Sequence, residues 1–189
     1  MTLRARKQQA AREKIVDAAY ELFAERGFAQ VTVTDIAERA EVGRTTFFRH
    51  FGDKQEVVFA DEQELLAAVA AAPAGGAAPS SLRSALIEMR DLAERLGPLI
   101  GGDPARYALQ TRLVAENPEL GDRAERKLQR IADALEGVLV ARGAEPELAV
   151  LAGQVSVACF RAAQRLAGPD ADALMPAMRR LADLLVTDV

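Results

Sequence analysis

Apolar residues recur every three or four positions through most of this 189-residue chain, and this helical period limits what the chain can fold into. The first stripe runs from about Gln9 to Glu25, and Gly27 just after it can take the left-handed conformation that ends a helix. Ala (38 residues) and Leu (22 residues) supply most of the apolar side chains, and Trp is absent. Because Ala and Leu are strong helix formers, the sequence predicts an all-α protein.

Three short helices are predicted before the first long one ends. Thr32 can cap a brief second helix, Glu41-Val42-Gly43 makes a tight turn, and a two-turn helix follows over 44–50. Asp53 then opens a helix that we expect to continue without a break to about Ala71. Two short helices joined by a tight turn predict a helix-turn-helix motif, whose second helix can enter the major groove of DNA.

Residues 72–81, with the sequence APAGGAAPSS, predict a flexible loop because Pro and Gly interrupt helices. Five further helical stripes follow this loop. The first of them is expected to end at Gly97-Pro98, and the last two occupy 146–167 and 170–187.

Charge is distributed unevenly along the chain. Residues 1–14 carry five cations and one anion, whereas residues 57–189 carry a net charge of −5. A basic end on an acidic body favours a polyanion-binding region joined to a different domain, although basic tails are often only solvated termini. The predicted fold has about nine helices: a helix-turn-helix domain at 1–52, joined by a long helix to a C-terminal bundle within 53–189.

Several classes of function are excluded by what the chain lacks. A single Cys and a single His can form neither an internal disulfide nor an ordinary His/Cys metal site, so we expect no metal and no cofactor. No Gly-x-Ser-x-Gly or phosphate-loop pattern is present, so an enzyme is not expected. No apolar run could span a membrane, and the basic N-terminus is followed by no signal-peptide core. We therefore expect a cytoplasmic protein with no membrane partner.

The predicted helix at 44–50 has one apolar side and one side free for recognition. With Phe47 and Phe51 turned inward, the outward side presents Arg44, Thr45, Phe48 and Arg49. Arg can donate two hydrogen bonds to a guanine edge, and Thr can contact a thymine methyl. Phe48 could contact the groove wall in the same way, or it could pack against a neighbouring helix.

One pattern of residues spans 9–56 with its order and spacing intact. It comprises Ile15, Ala18, Ala19, Leu22 and Phe23, then Gly27-Phe28, Thr32, Asp35-Ile36-Ala37, Ala40, Val42, Thr46-Phe47-Phe48, His50-Phe51 and Lys54. This pattern resembles the DNA-binding domain of the TetR family of transcriptional repressors. The resemblance implies a ligand-responsive homodimeric repressor, which binds a palindromic operator in double-stranded DNA and is released when a small apolar effector enters its helical C-terminal domain.

The resemblance also implies roles for individual residues. It places Thr32, Phe48, His50 and Lys54 near phosphates, and Arg44, Thr45 and Thr46 near base edges. Lys54 would stand in the first turn of a helix, where backbone amides already attract anions, but it could also be a solvated surface lysine. His50 could likewise be only a polar residue at a helix end.

Three departures from the family pattern fall in the turn and in the helix that follows it. Glu41 stands where Gly is usual, so the turn is either built differently or slightly strained. Gly43 replaces the usual Ser or Thr cap and is a somewhat weaker cap. Phe48 replaces the usual Tyr and lacks its hydroxyl. Glu41 and Gly43 leave open an alternative function, a helical small-molecule binding or scaffold protein whose DNA-binding domain is degenerate.

The C-terminal region offers candidates for two further sites. Side chains that could line a ligand pocket are Met89, Tyr107, Gln110, Asn117 and Phe160. The stripes within 146–187 are rich in Ala and include Gly153 and Ser156, which favours a homodimer interface, although an ordinary intrachain bundle would show the same pattern. Cys159 lies on an apolar stripe, which favours plain packing over a redox sensor.

Overall fold

The computed structural model describes residues 3–73 and 77–187. Within these ranges the chain forms ten α-helices and one short 3-10 turn, with no β-strand, which confirms the prediction of an all-α fold. Packing divides the chain into two compact units. The N-terminal unit comprises Met1–Ala60 and Leu113–Gly121, and the C-terminal unit comprises Asp61–Arg112 and Asp122–Val189.

The N-terminal unit begins with four helices whose bounds are α1 Leu3–Arg26, α2 Val33–Arg39, α3 Arg44–His50 and α4 Lys54–Val58. Helix α1 begins at Leu3 rather than near Gln9, because the intervening Arg, Ala, Lys and Gln residues are all good helix formers. It ends as predicted at Gly27, which has a φ of 76°. The core of this unit is made of fully buried side chains from α1 to α4: Ile15, Leu22, Phe23, Ile36, Phe47, Val57 and Val58.

The predicted continuous helix from residue 54 to 71 is wrong, because the chain turns at Phe59–Asp61 and a separate helix, α5, covers Glu62–Ala70. Val57, Val58, Phe59 and Ala60 are all buried. Four consecutive residues point to all sides of an unbroken helix, so such a helix could not bury them against one surface. The break lets all four contribute to the packing.

The C-terminal unit is built from α5 and five longer helices, α6 Leu82–Gly101, α7 Pro104–Glu116, α8 Pro118–Ala141, α9 Pro146–Ala167 and α10 Ala171–Thr187. The end of α7 and the start of α8 group with the N-terminal unit. The loop predicted at 72–81 is non-helical at its described positions, and residues 74–76 lie outside the described residues.

The prediction that a helix ends at Gly97-Pro98 is also wrong, because α6 continues to Gly101. Proline removes one backbone donor from the helix interior, which usually ends or bends it. Here the extra turn carries Leu99 and Ile100, which pack on the apolar core of the C-terminal unit. Burial of these two side chains favours continuation of the helix beyond the proline.

Helices α8 and α9 approach each other closely within the chain. A methyl group in place of the Gly153 hydrogen would lie 2.9 Å from the carbonyl oxygen of Ala132. The small residue at 153 therefore serves packing inside the C-terminal unit rather than contact with a second subunit. In the part of the chain that the structure describes, no helix is both long and apolar enough to cross a bilayer.

Candidate nucleic-acid interface and apolar cavity

Helix α3 is held in the N-terminal unit by two aromatic anchors. Phe47 is fully buried, Phe51 is almost fully buried, and their ring centroids lie 5.9 Å apart. The amide of Phe51 donates to the carbonyl of Phe47 at 2.9 Å where the helix ends. These contacts fix which side of α3 faces the core.

The turn before α3 is a Schellman motif. The Val42 amide donates to the Ala37 carbonyl at 2.9 Å and the Glu41 amide to the Glu38 carbonyl at 3.1 Å, the two bonds that define this helix end. Glu41 occupies the position that needs left-handed backbone, with a φ of 55°. The expected strain is therefore located at Glu41, where a residue with a Cβ replaces the favoured glycine.

The first turn of α3 has no side-chain cap. Gly43, the residue before the helix, has extended backbone and no side chain that could cap it. Its carbonyl accepts hydrogen bonds from the amides of Thr46 at 2.8 Å and Phe47 at 3.1 Å. The amides at the start of α3 thus receive no side-chain oxygen. By contrast, Thr32 caps α2 with the predicted capping box, in which its hydroxyl oxygen accepts from the Asp35 amide at 3.1 Å.

The outward side of α3 carries the side chains that the sequence placed there. Arg44, Thr45 and Arg49 are exposed, and Thr46 is half-buried. Phe48 is 49% exposed, and its ring lies edge-to-face to the Phe47 ring with the two centroids 5.5 Å apart. The prediction that Phe48 faces away from the core is confirmed, and its packing into the core is not observed.

His50 lies at the end of α3 and is half-buried. Its Nε2 atom is buried and has no hydrogen-bond partner among the described residues. Burial lowers the pKa of His50, and the positive charges of Arg49 and Arg12 lower it further. The lowered pKa favours the neutral form of His50 at pH 7 in the free protein.

Lys54 is positioned by contacts that its sequence context did not reveal. Its ammonium donates to the carbonyls of Phe28 at 2.7 Å and Val31 at 2.9 Å, and it lies 4.3 Å from the centroid of the Phe28 ring. Burial lowers the pKa of Lys54, and the carboxylate of Glu119 partly opposes this shift. Lys54 thus ties the start of α4 to the segment before α2.

Arg12 is one of the five cations within residues 1–14, and its structural role was not predicted from the sequence. Its guanidinium donates to the carbonyl of Ala60 and lies 5.1 Å from the centroid of the Phe51 ring. Both contacts join distant parts of the N-terminal unit, and no local spacing in the sequence could have indicated them. The cation also adds positive charge beside His50.

An apolar cavity, partly open to solvent, lies within the C-terminal unit. Two of the five predicted pocket residues, Met89 and Phe160, line it. Tyr107, Gln110 and Asn117 do not: Tyr107 is buried in a separate apolar cluster, and Asn117 donates to the Leu113 carbonyl at 2.8 Å in the N-terminal unit. The wall also includes Leu86, Leu128, Ile131, Leu135, Cys159 and Met178, whose apolar character the helical stripes indicated.

Cys159 is half-buried on the cavity wall, and burial raises the pKa of its thiol. A neutral thiol is a poor nucleophile, so the side chain behaves as a small apolar group.

Helices α9 and α10 leave large apolar side chains exposed. Leu166 is 67% exposed and Leu184 is 61% exposed, and Val150 and Leu151 are nearly half exposed. Val155, on the same helix as Leu166, is partly buried. Leu181 on α10 is also partly buried and packs against the cluster that contains Leu174 and Ala177.

Comparisons with known proteins agree with this architecture. The family model for bacterial regulatory proteins of the tetR family matches residues 15–60, which include α2, the turn and α3. The HTH-type transcriptional regulator TcmR of Streptomyces glaucescens is 37% identical over 151 residues, a match that covers 72% of this chain and 65% of TcmR. The chain thus spans slightly less than two thirds of the length of this relative.

Solved structures share the fold over nearly the whole chain. A TetR-family chain from Syntrophomonas wolfei superposes with a TM-score of 0.66 at 12% identity, covering 95% of this chain and 96% of that chain. FadR of Thermus thermophilus, a TetR-family repressor solved with lauroyl-CoA, gives a TM-score of 0.54 at 22% identity and 93% coverage of both chains. With the helix-turn-helix geometry, the family model and the similarity to TcmR in agreement, the chain belongs to the TetR family of bacterial regulatory proteins.

Proposed function

We propose that this protein is a transcriptional regulator, a homodimeric repressor that binds a palindromic operator and is released by a small apolar effector. The observation that carries the proposal is the half-exposed Phe48 ring, which lies on α3 with the exposed side chains of Arg44 and Arg49 while Phe47 is buried. A large aromatic ring facing water is stabilised when its apolar surface is covered. The major groove offers such a surface in its thymine methyl groups, beside guanine edges that accept from Arg.

The roles of the recognition residues follow from their placement. Arg44, Thr45 and Thr46 lie in the first turn of α3, the part of a recognition helix that contacts base edges. Thr32, His50 and Lys54 are proposed to lie near phosphates. Lys54 uses two of its three N–H donors on carbonyls, which leaves one for a phosphate oxygen.

The exposed apolar surface of α9 and α10 is proposed as the homodimer interface. Leu151 and Leu166 on α9 and Leu184 on α10 would lose their contact with water when a second copy packs against them. A homodimer presents two copies of α3 that can bind two half-sites about 34–36 Å apart.

The cavity in the C-terminal unit is proposed as the effector site. The wall of the cavity is mainly apolar. FadR of Thermus thermophilus, which has the same fold, was crystallised in complex with lauroyl-CoA, a ligand with a long acyl chain. An effector that binds more tightly to the conformation unable to bind the operator lowers the operator affinity. The loss cannot exceed the ratio of the effector affinities for the two conformations, and is typically about 5–150-fold. Thermodynamic linkage requires operator DNA to weaken effector binding by the same factor.

The alternative of a degenerate DNA-binding domain depended on Glu41 and Gly43. The Schellman hydrogen bonds around Glu41 are formed, and α3 begins at Gly43 without a side-chain cap. Neither departure prevents the motif from forming, and this favours a functional DNA-binding domain.

Binding to a random-sequence DNA duplex at low and at moderate salt tests the proposal. Each phosphate that the protein neutralises releases counterions, so the wild-type protein should bind with affinity that falls steeply as salt rises. The double variant Arg44→Ala/Arg49→Ala should bind more weakly with a shallower salt dependence. Arg83→Ala, which removes an exposed cation from α6, should bind like the wild type. Absence of salt-dependent DNA binding would instead favour the scaffold alternative.

A further inference from the structure

Two ion pairs join α6 and α10 in register. Arg90 on α6 lies 3.3 Å from Asp183 on α10, and Glu94 on α6 lies 2.9 Å from Arg179 on α10. On each helix the two charges are four residues apart and of opposite sign, so the antiparallel helices place every charge beside its complement. We call this set of four residues the charge ladder.

The charge ladder lies on the rim of the apolar cavity. The charged residues of the cavity lining are Arg90, Glu94 and Arg179, and all three belong to the ladder. Arg90 also lies 3.3 Å from the carboxylate of Asp91. Each of the two guanidinium groups on the rim therefore already lies beside at least one carboxylate.

The other polar groups of the wall offer nothing to an anion. The hydroxyl of Ser156 donates to the Ala152 carbonyl at 2.7 Å, and Cys159 keeps its proton because burial raises the pKa of the thiol. The remaining wall is formed by Leu, Ile, Val, Ala, Met and Phe side chains. A ligand carboxylate that enters this cavity would lose its hydration and find no cation without a carboxylate partner of its own. Burying such a charge is unfavourable.

From this arrangement we infer that the cavity selects uncharged apolar ligands and rejects anionic ones, because the charge ladder already neutralises both rim arginines. This inference rests on the proposed function of the cavity as an effector site. It adds the chemical class of the effector. It assigns the selectivity to Glu94, which pairs with Arg179, and to Asp183 and Asp91, which pair with Arg90.

The test compares two probes with the same ten-carbon chain, decan-1-ol and decanoate. Each is titrated against the full-length protein loaded with N-phenyl-1-naphthylamine, an uncharged dye that fluoresces in apolar sites. Decan-1-ol should displace the dye at a concentration at least about tenfold lower than decanoate, since only decanoate must bury a charge. Equal displacement, or a preference for decanoate, overturns the inference and leaves the cavity as a binding site. If the dye and both probes fail to bind, the proposed effector site itself is wrong.

Variants of the charge ladder provide the second arm. The double variant Glu94→Gln/Asp183→Asn frees the guanidinium group of Arg179 and leaves Arg90 paired only with Asp91. Decanoate affinity should therefore rise about tenfold while decan-1-ol affinity changes less than about twofold. Asp172→Asn is the matched control, since it removes an exposed carboxylate from α10 outside the cavity lining and should change neither affinity. Decanoate affinity that stays unchanged in a folded double variant contradicts the role of the ladder. If that variant does not fold, the comparison of the two probes on the wild-type protein decides the matter.

Discussion

The hydroxyl of Tyr20 on α1 donates a 2.9 Å hydrogen bond to the carbonyl of Val58, the last residue of α4. The last carbonyls of a helix lose their partners within that helix, so a side-chain donor at this position stabilises the helix end. Arg12 donates in the same way to the carbonyl of Ala60. Two side chains of α1 therefore hold the break that separates α4 from α5.

Replacing Tyr20 with Phe should destabilise the protein by about 1 kcal/mol, because the ring is kept but a buried carbonyl loses its donor. The urea concentration at the midpoint of unfolding measures this loss. A midpoint equal to that of the wild type would show that the hydroxyl does not stabilise the break.

Glu41→Gly should stabilise the protein by about 1 kcal/mol, since glycine adopts a φ of 55° without the steric cost that a Cβ imposes. Part of this gain is offset because glycine has more freedom in the unfolded chain. Glu41→Ala is the matched control, because it removes the carboxylate and keeps the Cβ. If Ala and Gly stabilise equally, the effect comes from the charge and not from the backbone.

His50 should make the stability depend on pH near neutrality. Its pKa in the folded protein is lowered by burial and by two arginines, so below about pH 6.5, the unfolded value, the unfolded chain binds more protons than the folded one. Stability should therefore fall as pH decreases through about 6.5 and level off below the folded pKa. His50 is the only histidine in the chain, so His50→Gln should abolish this change between about pH 7.5 and about pH 5.5 in urea unfolding. A variant with the same pH dependence as the wild type would contradict the assignment.

Local chemistry explains why most of the helices were predictable. Apolar residues at helical spacing, the capping box of Thr32 and the glycine at 27 each act within a few residues. The break after Val58 was not predictable in this way, because it depends on the burial of four consecutive residues and on donors from α1, far away in sequence.

The outward side of α3 was predictable from the sequence, whereas the contacts that position the site residues were not. Phe48 faces outward because Phe47 and Phe51 face inward, which is a local pattern. The carbonyl partners of Lys54 and the ion pairs of the charge ladder join residues distant in sequence, and no spacing within one helix indicates them.

The proposed homodimer can be tested without disturbing the fold of the subunit. Leu166 is 67% exposed, so Leu166→Glu should leave subunit stability within about 0.5 kcal/mol of the wild type, yet bury a charge if α9 packs against a second copy. Light scattering should show a dimer for the wild type and a monomer for the variant. Val140→Glu, at an exposed apolar position on α8, is the control and should remain dimeric. A monomeric wild-type protein at micromolar concentration would rule out the interface.

The most direct test of the central claim, that α3 of a homodimer recognises DNA, is selection of bound sequences from a random pool of DNA duplexes. The account predicts an enriched inverted repeat whose half-site centres lie about 10–10.5 base pairs, or a multiple of that spacing, apart. Arg44→Ala should lower affinity for that repeat by about 1–3 kcal/mol and relax the preference at one position in each half-site. A pool in which no sequence is enriched, or in which only an unrepeated site is enriched, would contradict the account.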